Sequence, residues 1–368
     1  MNQPFSAIKL PLEKTELDIG FVALTDSAPL VVAQHLGIFE RWGLEVNLKI
    51  QPSWATIRDR LQGQVLDAAQ LLAPMPLAAQ LGLNGNQNEL INALNLSFNG
   101  NAVTLSLELY DQVKAINGGE DPSLPLDATW IKQIVDYRKD CHEPKLKLAC
   151  VYPFSCHYYQ LRDWLIKAGI RADEDVEFLF IPPTEMTKAL ANNQINGFCA
   201  GNPWNTKAAR ENIGVTVLTS NDVWSQTPEK ILSVTRQWHA QHPNSYLAMV
   251  AALQQACNWL KSTSNRFEAA VMLKEYIDEP IEVLAPSLIG DCLTGIGHYN
   301  RHLPDLLSFN QEPFNIPDVE QGQFLLGKFM ASGQYAGSPE NAKQAIKEVY
   351  RTDIYQDVIG ILNQLGEE

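Results

Sequence analysis

The chain has 368 residues, a formal net charge of −14, 45% hydrophobic residues and 19% charged residues. This composition is typical of a globular protein and differs from that of disordered or membrane-embedded chains. A chain of this length usually divides into two lobes or domains. The acidic balance argues against direct nucleic-acid binding, because a phosphate backbone requires a basic protein surface.

The amino-terminal segment, residues 1–20, has no basic region leading into an apolar core and no small-residue cleavage site. It therefore predicts a chain without an export leader and a cytoplasmic location, the alternative being a leader removed from the native product. No segment reaches the roughly 18 to 20 apolar residues of a membrane span, so we expect no membrane insertion. The cysteines and nearby histidines lack zinc-site spacing, and we expect no metal and no cofactor.

Strand-like and helix-like segments alternate from residue 16 onward. Segment 16–24 is rich in β-forming residues and ends at TDSAP, where Asp26 or Ser27 can cap a helix and Pro29 suits its first turn. The helix that follows stops at a glycine before an alternating strand, which completes a βαβ unit. The next predicted elements are a helix at 54–64, a strand at 66–72, a helix at 74–82 and a strand at 102–109.

The composition changes near residue 110, and the loop NGGEDPSLPLD at 117–127 indicates a lobe boundary. A second α/β series follows, and the strand-like segment 231–238 then leads into a mainly helical remainder. Its predicted strands lie at 145–153, 175–183, 195–201 and 215–220, and its helices at 156–169, 184–194 and 204–214.

One strand leading into the second series and another leading back predict two lobes joined by two hinge strands. We predict an α/β fold in which residues 1–109 begin lobe 1, residues 110–228 form lobe 2, and residues 229–368 return to lobe 1. Ligands of open α/β sheets bind at the carboxyl ends of the strands, so the strand-to-helix loops should meet at one cleft.

These loops contain prolines, hydroxyls, amides and tryptophan but almost no paired acids. No nucleophile elbow or phosphate-binding glycine loop is present, and Asp59, Asp222 and Glu229 could pair for acid–base chemistry only by accident of the fold. The sequence therefore predicts a binding protein and not an enzyme. Backbone N–H groups, an imidazole, an indole and an amide suit a planar oxyanion such as nitrate.

Several segments resemble the nitrate/bicarbonate-binding (NrtA/CmpA-type) family of ABC-transporter solute-binding proteins, namely SWATIRD, LDAAQLLAPMPLA, FSCHYYQLRDWL and GFCAGNPWN. Within that family, GNPWN and TPEKILSVT are most similar to cytoplasmic NasS-type nitrate sensors. The resemblance implies a periplasmic-binding-protein-like fold of two α/β lobes with a helical C-terminal region, and nitrate or nitrite in the cleft. For the sensor branch it also implies control of an ANTAR-type, NasT-like RNA-binding antiterminator.

Two alternatives accompany this hypothesis. The first is the receptor of a nitrate or bicarbonate ABC importer with its signal peptide removed. The second is a pyrimidine-synthase-like enzyme of the same fold, which should carry a cysteine-rich active-site segment that is missing from this sequence.

The resemblance implies ligand contacts from Trp54, Asn101 and His157, whose alternatives are a core aromatic for Trp54 and a structural histidine for His157. Asn101 stands where transport receptors carry a glutamine. Gly201 and Asn202 match the family's strand-end loop, in which an acidic residue is common.

The remaining predicted site residues shape the cavity or supply charge. Pro74 and Met75 either line the cavity or pack the start of a helix. Asn221 occupies the position of the lysine in the nitrate receptors, and Lys230 could restore that cation from the other wall, the alternative being an exposed lysine. The loss of an acidic pair makes calcium-assisted bicarbonate binding less favourable. Trp204 forms either the cleft wall or part of the lobe packing.

Overall fold

A computed structural model describes residues 10–83, 85, 89–225, 227–297, 299–310 and 315–365. The absence of a leader was argued partly from residues 1–9, which lie outside the described residues. In the described ranges, none of the helices combines the length and the hydropathy that crossing a bilayer requires.

The first part of the chain alternates strands and helices as predicted. Gly37, at a φ of 63°, divides the first predicted helix into two. The strand 90–99 was missed because all its residues are buried, which removes the alternation of an amphipathic strand. The elements are β1 (Glu16–Phe21), α1 (Ala28–His35), α2 (Ile38–Arg41), β2 (Glu45–Ile50), α3 (Trp54–Gln62), β3 (Ala68–Leu72), α4 (Met75–Gln80) and β4 (Leu90–Asn99).

The second part carries the second α/β series. Its first strand was predicted to reach residue 109 but ends at Ser106, whose hydroxyl accepts a hydrogen bond from Leu109 N and caps a helix. The elements are β5 (Asn101–Ser106), α5 (Leu107–Ile116), α6 (Thr129–Asp140), β6 (Leu146–Cys150), α7 (Cys156–Lys167), α8 (Ala172–Asp175), β7 (Val176–Phe180), α9 (Met186–Ala191), β8 (Gly197–Gly201), α10 (Trp204–Arg210), β9 (Gly214–Thr219) and α11 (Ser220–Val223).

The remainder is mainly helical, as predicted, apart from one returning strand, a hairpin and a two-residue strand. The elements are β10 (Pro228–Thr235), α12 (Arg236–Gln241), α13 (Pro243–Trp259), α14 (Thr263–Leu273), α15 (Ile281–Ile289), β11 (Asp291–Ile296), β12 (Tyr299–His302), β13 (Leu307–Ser308), α16 (Val319–Ala331), α17 (Pro339–Val349) and α18 (Thr352–Gln364).

Two sheets form the two lobes. The first has the order β13-β4-β10-β3-β1-β2, and the second has the order β7-β6-β8-β5-β9. The chain passes from the first sheet to the second at Gly100, and it returns from β9 through α11 to β10, so two connections join the lobes. This periplasmic-binding-protein-like α/β arrangement agrees with the predicted fold class.

The first crossing lies earlier in the chain than the sequence indicated. Strand β5 was placed in lobe 1, within 1–109, but it pairs with β8 and β9 of the second sheet. The amino-acid composition does not change where this strand crosses between the lobes, so composition could not indicate the crossing. The local signal is instead the left-handed backbone of Asn99 and Gly100, with φ angles of 61° and 91°.

Ion pairs from the C-terminal elements hold the lobes together. Arg301 in β12 donates two hydrogen bonds of 2.7 Å to the carboxylate of Asp222. Lys328 in α16 lies 2.5 Å from Asp163, and Lys207 in α10 lies 2.5 Å from Glu279. The strand-end loops of both sheets are also in contact, since Thr25 N donates to the carbonyl of Asn202 at 3.0 Å.

We expect the Gly100→Ala change to destabilise the fold more than a matched change elsewhere. A Cβ at position 100 would lie 2.9 Å from Cδ1 of Leu307, and because Leu307 is fully buried its side chain would have to shift within the packed core. At Gly118 the φ is +73° and a Cβ would meet nothing within 4 Å. The free energy of unfolding should fall by about 1 kcal/mol in both variants, because alanine is strained in a left-handed backbone. It should fall by about 1 to 3 kcal/mol more in Gly100→Ala, because that core becomes overpacked. Urea unfolding of both variants measures this difference, and equal losses would contradict it.

Candidate functional site

A cluster of polar side chains lies between the lobes, where strand ends from both sheets meet the return strand. Every member is at most 2% exposed. We call it the interlobe cluster, and it consists of Asp26, Trp54, Gln70, Asn101, His157, Gln160, Glu229 and Lys230. Buried polar groups are costly unless they are paired, so each member needs a partner from the protein or from a ligand.

The ammonium group of Lys230 is the centre of this cluster. It lies 2.9 Å from Oδ2 of Asp26 and 3.0 Å from Oε1 of Glu229. It also lies 5.5 Å from the centroid of the Trp54 ring. Lys230 is therefore a buried cation of the cleft, on the hinge strand β10, and the alternative of an exposed lysine is wrong.

Two buried carboxylates accompany that cation, which corrects the expectation of a cleft without paired acids. Asp26 was considered as a helix cap, but its carboxylate binds Lys230 and accepts a hydrogen bond of 3.2 Å from Gln70. Burial raises the pKa of Asp26, against the lowering effect of Lys230. Burial likewise raises the pKa of Glu229. Lys230 lowers that pKa, and the carboxylate of Asp26 raises it further. Burial alone would lower the pKa of Lys230, but the two carboxylates outweigh it and raise that pKa.

His157 lies at the start of α7, one residue after its beginning at Cys156. Its Nδ1 lies 3.4 Å from Oε1 of Glu229, and neither ring nitrogen has a hydrogen-bond partner in the described part of the chain. Burial lowers the pKa of His157 far below its ordinary value, and Lys230 lowers it further. The imidazole is therefore neutral, with one N–H donor and one acceptor nitrogen.

Asn101 and Gln160 supply the amides of the cluster. Asn101 Nδ2 donates to Oε2 of Glu229 at 2.7 Å and to Oε1 of Gln160 at 3.0 Å. The Nε2 amide group of Gln160 has no partner among the described residues. Sequence reasoning missed Gln160, although its position one helical turn after His157 places both side chains on the same face of α7.

Trp54 begins α3 and is fully buried, and the hydroxyl of Ser53 before it accepts a hydrogen bond from Thr56 N. The indole Nε1 has no hydrogen-bond partner in the described ranges. A buried indole N–H normally donates to some acceptor. Together with Gln160 and His157, Trp54 therefore gives the cluster three unsatisfied donor groups near Lys230.

The remaining predicted residues support the cluster. Met75 packs in the same apolar core as Trp54, and Pro74 precedes α4, whose first residue is Met75. A Cβ at Gly201 would lie 3.3 Å from Oδ2 of Asp26, so a side chain there would crowd the acid. Trp204 also packs in that core, and its Nε1 has no partner within the described residues.

Asn202 fixes the contact between the lobes, and its side-chain amide is already used. Its Nδ2 donates to the carbonyl of Gly100 at 3.2 Å, and its Oδ1 accepts from Thr206 at 3.1 Å. Its backbone carbonyl accepts from Thr25 N of lobe 1 at 3.0 Å. The structure thus separates Asn202 from the unsatisfied donors that the prediction had grouped with it.

Asn221 does not reach the cluster, because its Nδ2 donates to the carbonyl of Asp305 on the exposed surface. Of Asn221 and Lys230, only Lys230 lies in the interlobe cluster. Asp59 and Asp222 pair with Arg58 and Arg301, away from the cluster. Among the described residues no group of three or more histidine, cysteine or acidic side chains has a metal-binding arrangement.

Comparison with known proteins identifies similar chains and structures. The model of the NMT1-like family matches residues 10–274. The nitrate import ATP-binding protein NrtC of Synechocystis sp. is 35% identical over 349 residues, which are 94% of this chain and 50% of that protein. The chain thus spans about half the length of this relative. The nitrate/nitrite binding protein NrtA of Nostoc sp. is 32% identical over 359 residues, 95% of this chain and 78% of that protein.

The fold comparison agrees with these matches. The crystal structure of the periplasmic nitrate-binding protein NrtA from Synechocystis superposes with a TM-score of 0.87 at 25% identity, covering 95% of this chain and 90% of that one. An aliphatic sulphonate binding protein from Escherichia coli has a TM-score of 0.60 at 14% identity, which shows a shared fold alone.

We expect Lys230→Met to destabilise the protein by about 3 to 5 kcal/mol at pH 8, because two buried carboxylates lose their cation. Both carboxyl groups already have raised pKa values in the folded state. A raised acid pKa favours folding below the pKa of the unfolded chain, and this contribution is lost as the pH rises through the folded-state pKa. The deficit should therefore be smaller at pH 5 than at pH 8.

Urea denaturation of the wild type and the variant at both pH values measures this deficit. Lys188→Met, at an exposed lysine of α9, is the matched control and should be close to neutral. A deficit in Lys230→Met that is independent of pH would contradict the assignment.

Proposed function

The chain belongs to the NMT1-like family, in its nitrate- and bicarbonate-binding branch, and from that premise we propose that it is the small-oxyanion-binding unit of an ABC-type import system. The observation that carries this proposal is the set of unsatisfied buried donors beside Lys230. The indole of Trp54 comes from α3 in lobe 1, and the imidazole of His157 and the amide of Gln160 come from α7 in lobe 2, yet none has a protein acceptor in the described ranges.

A small planar oxyanion fits these donors by its chemistry. Three oxygen atoms in one plane accept hydrogen bonds from several directions, and each such bond to a charged group contributes about 1.5 to 3 kcal/mol. Neutral N–H donors beside one compensated cation suit a singly charged, weakly basic anion better than a highly charged one. A ligand at this position would contact both lobes at once and would therefore favour the closed form by its differential affinity.

The comparisons support an import role over other roles for such a binding unit. The relatives named NrtA are nitrate/nitrite binding proteins, and those named CmpA are bicarbonate-binding proteins. NrtC and CmpC are named as transport ATP-binding proteins, and this chain matches about half of their length. A binding protein of this kind needs no catalytic group, which agrees with the absence of a nucleophile motif from the sequence.

The narrower hypothesis from the sequence is a second proposal. In it the protein is a cytoplasmic nitrate or nitrite sensor that sequesters an ANTAR-type, NasT-like antiterminator and releases it when the anion binds. The net charge of −14 would favour a partner with a basic RNA-binding face. The import role is preferred because two of the relatives, NrtC and CmpC, are named as import or transport ATP-binding proteins.

Calorimetric titration with nitrate, nitrite and bicarbonate tests the proposed function. We expect at least one of the three to bind, and Trp54→Phe to weaken its binding about tenfold or more because one donor to the anion is lost. Trp238→Phe is the matched control, since that indole already donates to Asp67 at 2.8 Å. No heat from any of the three anions would reject the proposed function.

Size-exclusion chromatography with light-scattering detection, applied to the protein mixed with a purified ANTAR-type antiterminator, tests the sensor hypothesis. That hypothesis expects a complex that dissociates when nitrate is added. If the two proteins elute separately with and without nitrate, the sensor hypothesis is rejected and the import proposal is unaffected.

A further inference from the structure

The interlobe cluster holds two acids and one cation, so its formal charge with both acids ionised is −1 before any ligand binds. Asp26 and Glu229 are the acids, Lys230 is the cation, and His157 is neutral. A closed site of this kind repels a monovalent anion, because burial strengthens the repulsion between like charges.

We propose that the cluster binds its anion with one proton lying between Glu229 and the anion. Glu229 takes this proton up from solvent when the anion has none, whereas a hydroxyl group of the ligand keeps its proton and donates a hydrogen bond to the ionised Glu229. This inference rests on the proposed function and specifies the chemical class of the ligand. Bicarbonate carries the required hydroxyl, whereas nitrate does not and must bind with a proton from water.

Glu229 is assigned this role by its position among the donors. Its Oε1 lies 3.4 Å from His157 Nδ1, and its Oε2 accepts from Asn101 at 2.7 Å. Asp26, in contrast, faces Gln70 and Lys230 on the lobe 1 side. The carboxylate beside the unsatisfied imidazole is therefore that of Glu229.

The other titratable groups around Glu229 do not supply this proton. Lys230 and Asp26 face it from β10 and from the loop before α1, and the thiols of Cys156 and Cys199 face it from α7 and β8. Burial raises the pKa of both thiols well above the ordinary value, so they stay neutral. Burial also raises the pKa of Glu229, which makes its proton uptake less costly.

Protonation of Glu229 would also reorganise the donors through His157. With Glu229 ionised, a neutral His157 favours the tautomer with the proton on Nδ1, beside the carboxylate, and Nε2 is then an acceptor. With Glu229 protonated, Nδ1 can accept from the carboxyl group and the proton moves to Nε2. Proton uptake thus removes one negative charge and frees the single N–H group of His157 from Glu229, so that it can donate to the anion.

The test is calorimetric titration of the full chain at pH 8 in several cationic amine buffers of different ionisation enthalpy. The dependence of the binding heat on the buffer gives the number of protons taken up per anion. We expect about one proton for nitrate and none for bicarbonate. We also expect nitrate affinity to fall about tenfold per pH unit above the pKa of Glu229. Bicarbonate affinity should change little over the pH range in which the ligand remains bicarbonate.

Two isosteric variants separate charge balance from the hydroxyl contact. Glu229→Gln should bind nitrate without proton uptake and should lose bicarbonate affinity about tenfold or more, because the acceptor of its hydroxyl is gone. Asp26→Asn should also remove the uptake, since the formal charge of the cluster becomes zero. Glu177→Gln, at an exposed acid of β7, is the control and should change neither.

Each outcome decides between the two proposals. Nitrate binding without proton uptake by the wild type overturns this inference and leaves the proposed function standing. Uptake that persists in both acid variants would place the proton on His157 and overturn the assignment to Glu229. If no anion binds to the wild type, the proposed function itself fails. The proton count needs no variant, so it remains decisive even if a variant is unstable.

Discussion

The ion pairs of Lys230 with Asp26 and Glu229 are the constraint on which the rest of the structure depends. A fully buried ammonium group is stable only with anionic partners, and here it has two within 3.0 Å. Lys230 and Glu229 lie on the return strand β10, and Asp26 lies in the loop that follows β1. The pairing therefore fixes the hinge strand against lobe 1 at the point where the cleft closes.

The two sheets bring the rest of the site to that point. Strand β5 enters lobe 2 directly after Gly100 and carries Asn101, which bonds both to Glu229 on the hinge and to Gln160 on α7. The N-terminal end of α7 adds His157, and α3 adds Trp54 from lobe 1. Because these residues come from both lobes, the donors converge only where the lobes meet, and the ion pair of Lys328 on α16 with Asp163 on α7 joins elements across that boundary.

The charges of the interlobe cluster differ from those of an anion site that consists of cationic side chains alone. Two carboxylates of the protein already pair with the cation. In the proposed site, affinity for an anion would therefore come from the neutral N–H donors and from the protonation state of the acids, and singly charged oxyanions would be distinguished by their own hydrogen atoms. The same surroundings disfavour a metal ion, because Lys230 already lies between the two carboxylates.

The sequence by itself determined the alternation of strands and helices, the two-lobed α/β class and the types of donor in the cleft. These features follow from local periodicity, caps and turn residues, and from a resemblance carried by short motifs. Trp54, His157 and Lys230 were among the residues named from it, whereas the fully buried strand β4 and the amide of Gln160 were not. A strand buried on both faces shows no alternation, and an amide on a helix resembles many surface glutamines.

Only the tertiary structure decided which acids meet the cation and where the chain crosses between the lobes. Asp26 is suitable as a helix cap by its local sequence, and Glu229 is one of many glutamates, yet both face Lys230 in the folded chain. Asn202 matched the expected strand-end loop but is used for contacts between the lobes. The packing of the two sheets determines which charged residues, far apart in the chain, become partners. No local pattern of residues indicates these pairs.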